Sequence, residues 1–439
     1  MTTKLKHWHY LQSDVIFLFL PYLTMIEFKS FTLNNGLKVI VHEDPTTQIA
    51  VLNILYDVGS RDEDPGKTGF AHLFEHLMFG GSQNIPNYDE PLQLAGGENN
   101  AFTSPDITNY YLTLPAQNLE TGFWLESDRM LGLSFDPKVL EVQRKVVIEE
   151  FKQRYLNQPY GDVWLKLRPI AYKRHSYQWP TIGKEISHIE TATMEDVRAF
   201  FKKHYVPNQA IMVVAGNVRF DEVKALSEKW FGPIPSGADY HRSLPTEPAQ
   251  NEKRFISVSA EVPTDALYMV YHIPGKFDER YYAADLTSDI LGRGKSSRLY
   301  QKLVRDRSIF SSISASVTGS IDPGLLVING KVSDNISIEQ AEEEVQRVVD
   351  EFLKEGVGAE ELEKVKNQAE ASLIFSEVEV LNRAMNLAMA TLSGNTNLVN
   401  EEADKIQAVD VEQLNSVARE VLALNNCTIM HYRSKQKQK

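Results

Sequence analysis

The same pattern closes both halves of this chain, and it constrains the fold more than any other feature. Residues 194–215 combine an amphipathic helix, Asn208 and a buried strand, and residues 411–432 repeat that order around Asn425. The two asparagines lie 217 positions apart in a chain of 439 residues. Few residues are identical, so chance similarity is the alternative, but the repeat predicts two homologous domains.

Strand patterns and helix patterns come in separate blocks along the chain. Asn35-Gly36 lies between two alternating apolar runs, which is typical of a hairpin. Residues 137–155 and 359–392 each have the periodicity of a long helix. Helices segregated from strand meanders favour an α+β fold over a doubly wound parallel sheet. We therefore expect an α+β fold of two homologous domains, each with a mainly antiparallel sheet flanked by helices.

A proline-rich segment with little periodicity, residues 236–252, separates the two blocks. It predicts a first domain at 25–235, a linker, and a second domain at 253–435. Residues 1–24 precede the periodic pattern, and we interpret them as an N-terminal extension that is not native, with a degraded export signal as the alternative. Their apolar run, Val15–Leu20, is too short to span a bilayer. We expect no stable membrane insertion, and both a cytoplasmic and a periplasmic location stay open.

The net charge of the chain indicates which classes of partner to expect. The chain has 46 Lys and Arg against 59 Asp and Glu, a net charge of −13. Because an acidic chain repels phosphate backbones, we expect no nucleic acid partner. The acidity could favour basic peptides, although solubility is the simpler explanation. Cys427 is the single cysteine, so no intrachain disulfide can form.

One motif indicates chemistry. His72 and His76 are four residues apart in a segment with helical periodicity, which places both imidazoles on one face, one turn apart. Two such nitrogens can hold one Zn²⁺. Glu75 lies on the same side and can act as a general base on a metal-bound water without being a ligand. His-x-x-Glu-His is the inverted zincin signature; two partly exposed helical histidines beside a glutamate are the alternative.

A two-histidine zinc site needs a third protein ligand. The helix predicted from Pro137 offers three carboxylates, Glu141, Glu149 and Glu150. Neighbours on a helix are about 100° apart, so at most one of Glu149 and Glu150 can point into a given site. Spacing alone does not choose between them, and a solvated helix charge is the alternative for either one.

With these residues in place, the chain resembles the pitrilysin (insulinase-type) metallopeptidase family over residues 26–435. The resemblance rests on three segments: His72–His76, Asn100–Thr103 with Thr108–Tyr111, and Val146–Phe151. It implies that Glu150 is the third zinc ligand. The family has a supporting glutamate seven residues earlier, where this chain has Gln143, which brings no charge.

The resemblance also assigns Asn100 and Ala101 to an edge strand that pairs with an extended peptide substrate by β-augmentation. From the residues alone, Asn100 would be interpreted as a turn residue after Gly97. The family likeness implies a zinc-dependent endopeptidase whose first domain is catalytic. The second domain has Leu286–Ile290 in place of the motif and would not be catalytic. The alternatives are a metal-free structural subunit and a subunit that binds peptides without cleaving them.

Family members enclose peptides between two halves, and a two-domain chain corresponds to one half. In active relatives the half opposite the zinc carries an arginine and, seven residues later, a tyrosine. Here those positions hold Val304 and Ser311, which cannot supply the same donors. The resemblance therefore implies a heterodimer with a paralogue that lacks the zinc motif, with a homodimer as the alternative.

Overall fold

The computed structural model describes residues 25–436. The prediction made for residues 1–24 lies outside them. Six strands form the first sheet, in the order β1-β2-β6-β3-β5-β4. These strands are β1 Lys29–Thr32, β2 Lys38–Glu43, β3 Ile49–Tyr56, β4 Glu98–Thr103, β5 Thr108–Pro115 and β6 Ala210–Gly216. Only β2 and β6 run parallel, and Gly36 forms the predicted β1–β2 turn with a φ of 91°.

Five strands form the second sheet, in the order β7-β11-β8-β10-β9. They are β7 Arg254–Ala260, β8 Ala266–Ile273, β9 Phe310–Val317, β10 Gly324–Val332 and β11 Cys427–Ser434. β11 lies parallel to β7 and antiparallel to β8, just as β6 lies parallel to β2 and antiparallel to β3. The closing strand of each half therefore occupies the same place in its sheet, and the α+β two-domain fold is confirmed.

Helices cover the sheets. Those of the first half are α1 Phe70–Leu77, α2 Asp89–Leu94, α3 Leu119–Leu131, α4 Pro137–Phe151, α5 Val163–Ala171, α6 Ile186–Glu190, α7 Met194–His204 and α8 Phe220–Trp230. Those of the second half are α9 Tyr281–Gly292, α10 Ile338–Glu355, α11 Ala359–Ser376, α12 Val380–Leu392, α13 Leu398–Ala408 and α14 Val411–Val421. Two further segments, Lys152–Leu156 and Tyr300–Asp306, are π-helical.

One helix of each half packs against the sheet of the other half. Side chains alternate between the faces of a strand, so Leu52 and Ile54 of β3 face the helices of their own half, whereas Val51 and Leu55 pack against α12 from the second half. In the same way, α5 from the first half packs on the outer face of the second sheet, against Val270 and its neighbours. The central strands are buried on both faces, which explains their continuous apolar sequences.

Buried charges join the two domains. Arg61 is 3% exposed and its guanidinium lies 3.1 Å from Asp106 and 2.8 Å from Asp322, which belongs to the second half. The connecting chain is also fixed, because the Glu247 carboxylate accepts three consecutive backbone N–H groups of residues 173–175 at 2.8–2.9 Å. Residues 236–252 contain neither helix nor strand, as their composition predicts. The domain limits at 235 and 253 remain predictions.

Two helix predictions need correction. The single helix expected over 359–392 is two helices, interrupted at residues 377–379, because α11 packs against α9 while α12 must turn away to reach the first sheet. The helix expected to Tyr155 keeps α-helical geometry only to Phe151 and continues as the π-helical turn. Within residues 25–436, no helix combines the length and apolar content needed to cross a membrane.

Candidate metal centre

The start of α1 is fixed by a buried carboxylate. Glu63 accepts the backbone N–H groups of Gly69 and Ala71 at 2.9 Å each, and the Trp179 indole N–H at 3.0 Å. Helix N-termini leave such N–H groups without partners inside the helix. Gly69 has a φ of 90°, and a Cβ there would lie 2.6 Å from the Ile182 carbonyl oxygen. Burial raises the pKa of Glu63 to about 8.

The sequence of α1 divides it into two faces. Leu73, Phe74 and Leu77 are buried in the first core, which leaves His72 and His76 together on the opposite side. The two imidazole ring centroids are 4.9 Å apart. Because the buried apolar side chains fix the rotation of α1 about its axis, the two histidines must face away from the first core.

α4 packs against α1 and brings a carboxylate to the two histidines. Asp136 caps α4 by accepting the Lys138 N–H at 2.8 Å, and Pro137 occupies the first helical position. On the face buried by this packing, Val147 is fully covered. Glu150 lies three residues further on, which places its carboxylate beside the α1 histidines.

The three predicted ligands meet in space. Glu150 Oε2 lies 3.7 Å from His72 Nε2 and 3.4 Å from His76 Nε2. One ligand atom from each of the three residues fits within 4.8 Å of the others, and within the described part of the chain no other group of three or more His, Cys, Asp or Glu side chains does so. Tetrahedral zinc with bonds of about 2.0–2.1 Å separates its ligand atoms by about 3.3 Å.

The electrostatics favour the metal-binding forms of His72 and Glu150. Burial lowers the pKa of His72 to about 4, so its imidazole is neutral at pH 7. The adjacent His76 imidazole holds the pKa of Glu150 below its ordinary value, so that carboxyl is ionised. Neutral imidazole and ionised carboxylate are the forms that bind metals.

Glu75 lies beside this group without belonging to it. Its Oε2 accepts the Thr103 hydroxyl at 2.6 Å, which orients the carboxylate from strand β4. Burial raises the pKa of Glu75 above its ordinary value, against the opposing effect of Thr103. A higher pKa brings a carboxylate closer to the range in which a general base works at neutral pH.

The predicted substrate residues lie on a free sheet edge. Among the described strands, β4 pairs only with β5, so Asn100 and Ala101 are on an edge strand, as expected from the family resemblance. The Ala101 N–H is directed to Asn100 Oδ1 at 2.9 Å. Thr103 on the same strand contacts Glu75, so the free edge runs up to the candidate metal centre. Peptide binding at this edge remains a prediction.

The other carboxylates of α4 point elsewhere. Glu141 pairs with Arg144 at 2.7 Å, and the 59% exposed Glu149 pairs with Lys152 at 2.7 Å. Of the three candidates, only Glu150 reaches the histidines. The buried His72 Nδ1 has no hydrogen-bond partner within residues 25–436.

Comparison with known proteins identifies the family. A family model described as "Insulinase (Peptidase family M16)" matches residues 38–184, and one described as "Peptidase M16 inactive domain" matches residues 191–369. The zinc protease PqqE of Helicobacter pylori is 30% identical over 354 residues, which cover 79% of each chain. The chain belongs to the insulinase family of peptidases.

Other insulinase-family relatives agree. An uncharacterized zinc protease of Bacillus subtilis, YmxG, is 27% identical over 399 residues that cover 90% of this chain and 95% of the relative. The crystal structure of a Helicobacter pylori protease superposes with a TM-score of 0.87 at 28% identity, covering 93% of this chain and all of that one. Pitrilysin shares the fold, with a TM-score of 0.73 at 18% identity over 45% of its chain. Relatives named as zinc proteases imply zinc binding in the family.

Three residues near the candidate centre have contacts that were not predicted from the sequence. Glu63 has no motif spacing to the histidines, because its link to α1 runs through backbone N–H groups. Thr103 belongs to the quoted Asn100–Thr103 segment, but the residues alone do not show that it reaches Glu75. Arg154 lies 3.0 Å from Glu150. Its position four residues after Glu150 on a helical segment was a usable signal.

Proposed function

We propose that this insulinase-family chain is a zinc-dependent endopeptidase that hydrolyses extended peptides, with His72, His76 and Glu150 as zinc ligands. The observation that carries the proposal is the convergence of these three side chains within 4.8 Å. Two imidazoles and one carboxylate form a donor set that suits zinc, and the distances from Glu150 Oε2 are close to those of a tetrahedral site.

The proposed mechanism assigns one task to each side chain. When bound, Zn²⁺ lowers the pKa of water and polarises a carbonyl group. The Glu75 carboxylate, oriented by the Thr103 hydroxyl, takes the proton of the attacking water and passes it to the leaving amine. The edge of β4 at Asn100 and Ala101 holds the peptide backbone in extended form next to these groups.

We further propose that the chain is the catalytic half of a two-chain enzyme, with a partner chain that lacks the zinc motif. The chain covers all of the Helicobacter pylori protease chain but 45% of pitrilysin, whose fold it shares. Val304 packs against the second core, and the Ser311 hydroxyl donates to the Lys331 carbonyl at 3.3 Å. Neither residue supplies the long polar donors that the family pattern has there.

Two nearby arginines could substitute for those donors only if the register slips. Arg305 pairs with Asp306 at 2.7 Å, and Arg307 pairs with Glu344. A partner chain that supplies two donors to the developing oxyanion should raise the rate by about 10²–10³. A homodimer would lack them and is the alternative assembly.

Digestion of a defined peptide library tests the proposal. The chain would be assayed alone and after mixing with a zinc-motif-less paralogue from the same genome, each with chelator and again after zinc is restored. Zinc-dependent cleavage that the paralogue increases supports both the peptidase activity and the two-chain assembly. Full activity of the chain alone, with no increase, leaves the peptidase proposal standing and removes the heterodimer. Peptide binding without cleavage in every mixture would identify a non-cleaving subunit instead.

A further inference from the structure

The two oxygens of the Glu150 carboxylate have different neighbours. Oε2 faces the histidines, at 3.7 Å from His72 Nε2 and 3.4 Å from His76 Nε2. Oε1 lies 3.0 Å from a terminal guanidinium nitrogen of Arg154. The carboxylate is therefore held between two imidazoles on one side and a cation on the other.

The backbone after α4 places this cation. Residues Lys152–Leu156 form a π-helical turn, in which the Asn157 N–H donates to the Lys152 carbonyl at 2.8 Å. π-Helical turns next to α-helices are frequent at functional sites. Within this turn Lys152 is directed to Glu149 on the exposed side, whereas Arg154 is directed to Glu150.

We propose that Arg154 is a positioning residue that occupies Glu150 Oε1 and leaves Oε2 alone to bind the metal. The inference rests on the zinc site proposed above. A carboxylate can give a metal one oxygen or both, and a catalytic zinc site keeps its fourth position open for water. If Glu150 gave both oxygens, the second would compete for that position. A guanidinium beside Oε1 opposes this arrangement through charge-assisted attraction.

The same ion pair is of little importance for folding. The Arg154 side chain is 70% exposed, and exposed ion pairs add little to stability. Removal of the guanidinium should therefore leave the fold intact while it frees Oε1. This separation allows a structural role to be distinguished from a positioning role.

Cobalt substitution provides the readout. Co²⁺ bound by four ligands absorbs visible light more strongly than Co²⁺ bound by five. We would compare wild type, Arg154→Ala and Arg154→Lys, with Lys152→Ala as the matched control in the same turn. Arg154→Ala should weaken the visible band, keep one metal per chain and the melting temperature of wild type, and lower kcat about 10-fold with little change in KM. Arg154→Lys should restore part of the band and of kcat, and Lys152→Ala should match wild type.

The outcomes separate this inference from the proposed function. Wild-type protein that binds neither zinc nor cobalt would overturn the proposed function and this inference with it. Wild-type protein that binds cobalt, with an unchanged band and unchanged kcat in Arg154→Ala, would overturn only the role of Arg154. An equal weakening of the band in Lys152→Ala would also overturn it, because the effect would then belong to the charge of the turn.

Discussion

Each domain has its own sheet, with the closing strand in the same place, and the two domains differ in the side chains of their central helix pair. In the first domain, α1 packs against α4, and the facing side chains His72, His76 and Glu150 converge. In the second domain, α9 packs against α11, and Arg293 at the end of α9 reaches the Ser372 hydroxyl at 2.8 Å. The two helix pairs are arranged alike, but only the first pair brings together side chains that could hold a metal ion.

Three polar side chains of α9 are satisfied within its own turns. The Thr287 hydroxyl donates to the Ala283 carbonyl at 2.7 Å, the Ser288 hydroxyl donates to the Asp285 carbonyl at 2.8 Å, and Asp289 pairs with Arg293. In α1 the polar groups are directed instead toward α4 and β4. The fold therefore supplies two equivalent helix pairs, and the direction of a few polar side chains decides which pair brings candidate metal ligands together.

The largest expected effect is on the rate of peptide hydrolysis, and it follows from removing the proposed base, Glu75. Glu75→Gln keeps the shape of the side chain and its hydrogen bond from Thr103, but it cannot take a proton. We expect zinc content to stay at the wild-type level and the peptide hydrolysis rate to fall about 10²–10⁴-fold. The counterpart in the second domain is Asp289→Asn, which should leave the rate unchanged. Glu75→Gln activity within a few-fold of wild type would contradict the assigned role.

The second prediction compares carboxylates at two helix starts. Glu63 is buried and accepts three N–H groups, two of them at the start of α1, whereas Asp278 is 37% exposed and accepts the Arg280 N–H at the start of α9. Glu63→Ala leaves buried donors unpaired and should lower the free energy of unfolding by about 3 kcal/mol or more. Asp278→Ala should cost less than about 1 kcal/mol. Chemical denaturation measures both.

If Glu63→Ala does not fold, Glu63→Gln keeps one acceptor oxygen and provides a milder test. It should still weaken zinc binding, because the first turn of α1 carries His72. Equal losses of stability for the Glu63 and Asp278 variants would show that the burial of Glu63 adds nothing to its contribution to the free energy of unfolding.

The third prediction concerns acid stability. His204 is fully buried, and burial lowers its pKa to about 4, against about 6.5 in the unfolded chain. The unfolded state therefore binds more protons between these values, so the stability of the metal-free protein should fall as pH drops from about 6.5 to about 4. The position 217 residues later holds Val421, which does not titrate.

The matched exchange is therefore His204→Val. It should reduce the loss of stability between pH 7 and pH 5 by about 1–2 kcal/mol, as measured by denaturant midpoints of the metal-free protein. Zinc must be removed first, because its binding has a pH dependence of its own. An unchanged pH dependence in this variant would show that His204 is not one of the groups that titrate on acid unfolding.

Local pattern explains how much of this molecule could be predicted. The spacing of His72 and His76, the Asn-Gly hairpin turn and the helix-then-strand pattern within each closing segment are all short-range features, and each indicates its structure directly. The choice between Glu149 and Glu150 was different. It depends on the rotation of α4 about its axis when it packs on α1, and the residues alone do not fix this rotation. The family resemblance is what favours Glu150.

Long-range packing explains what could not be predicted. The exchange of α5 and α12 between the domains leaves no mark on local periodicity, because an apolar stripe does not reveal which sheet it covers. For the same reason the helix pattern over 359–392 concealed the turn at residues 377–379. Glu63 and Thr103 contact α1 through folded geometry across 6 to 28 positions, without a motif to mark them.

The most direct test of the central claim is the zinc content of three proteins that differ in one or no side chain. Purified wild type, Glu149→Gln and Glu150→Gln would be loaded with zinc, desalted and analysed by elemental analysis alongside protein concentration. We predict about one zinc per chain for wild type and for Glu149→Gln, and loss of bound zinc for Glu150→Gln. Wild-type protein without stoichiometric zinc, or zinc that depends on Glu149 and not on Glu150, would show that His72, His76 and Glu150 do not form the proposed zinc site.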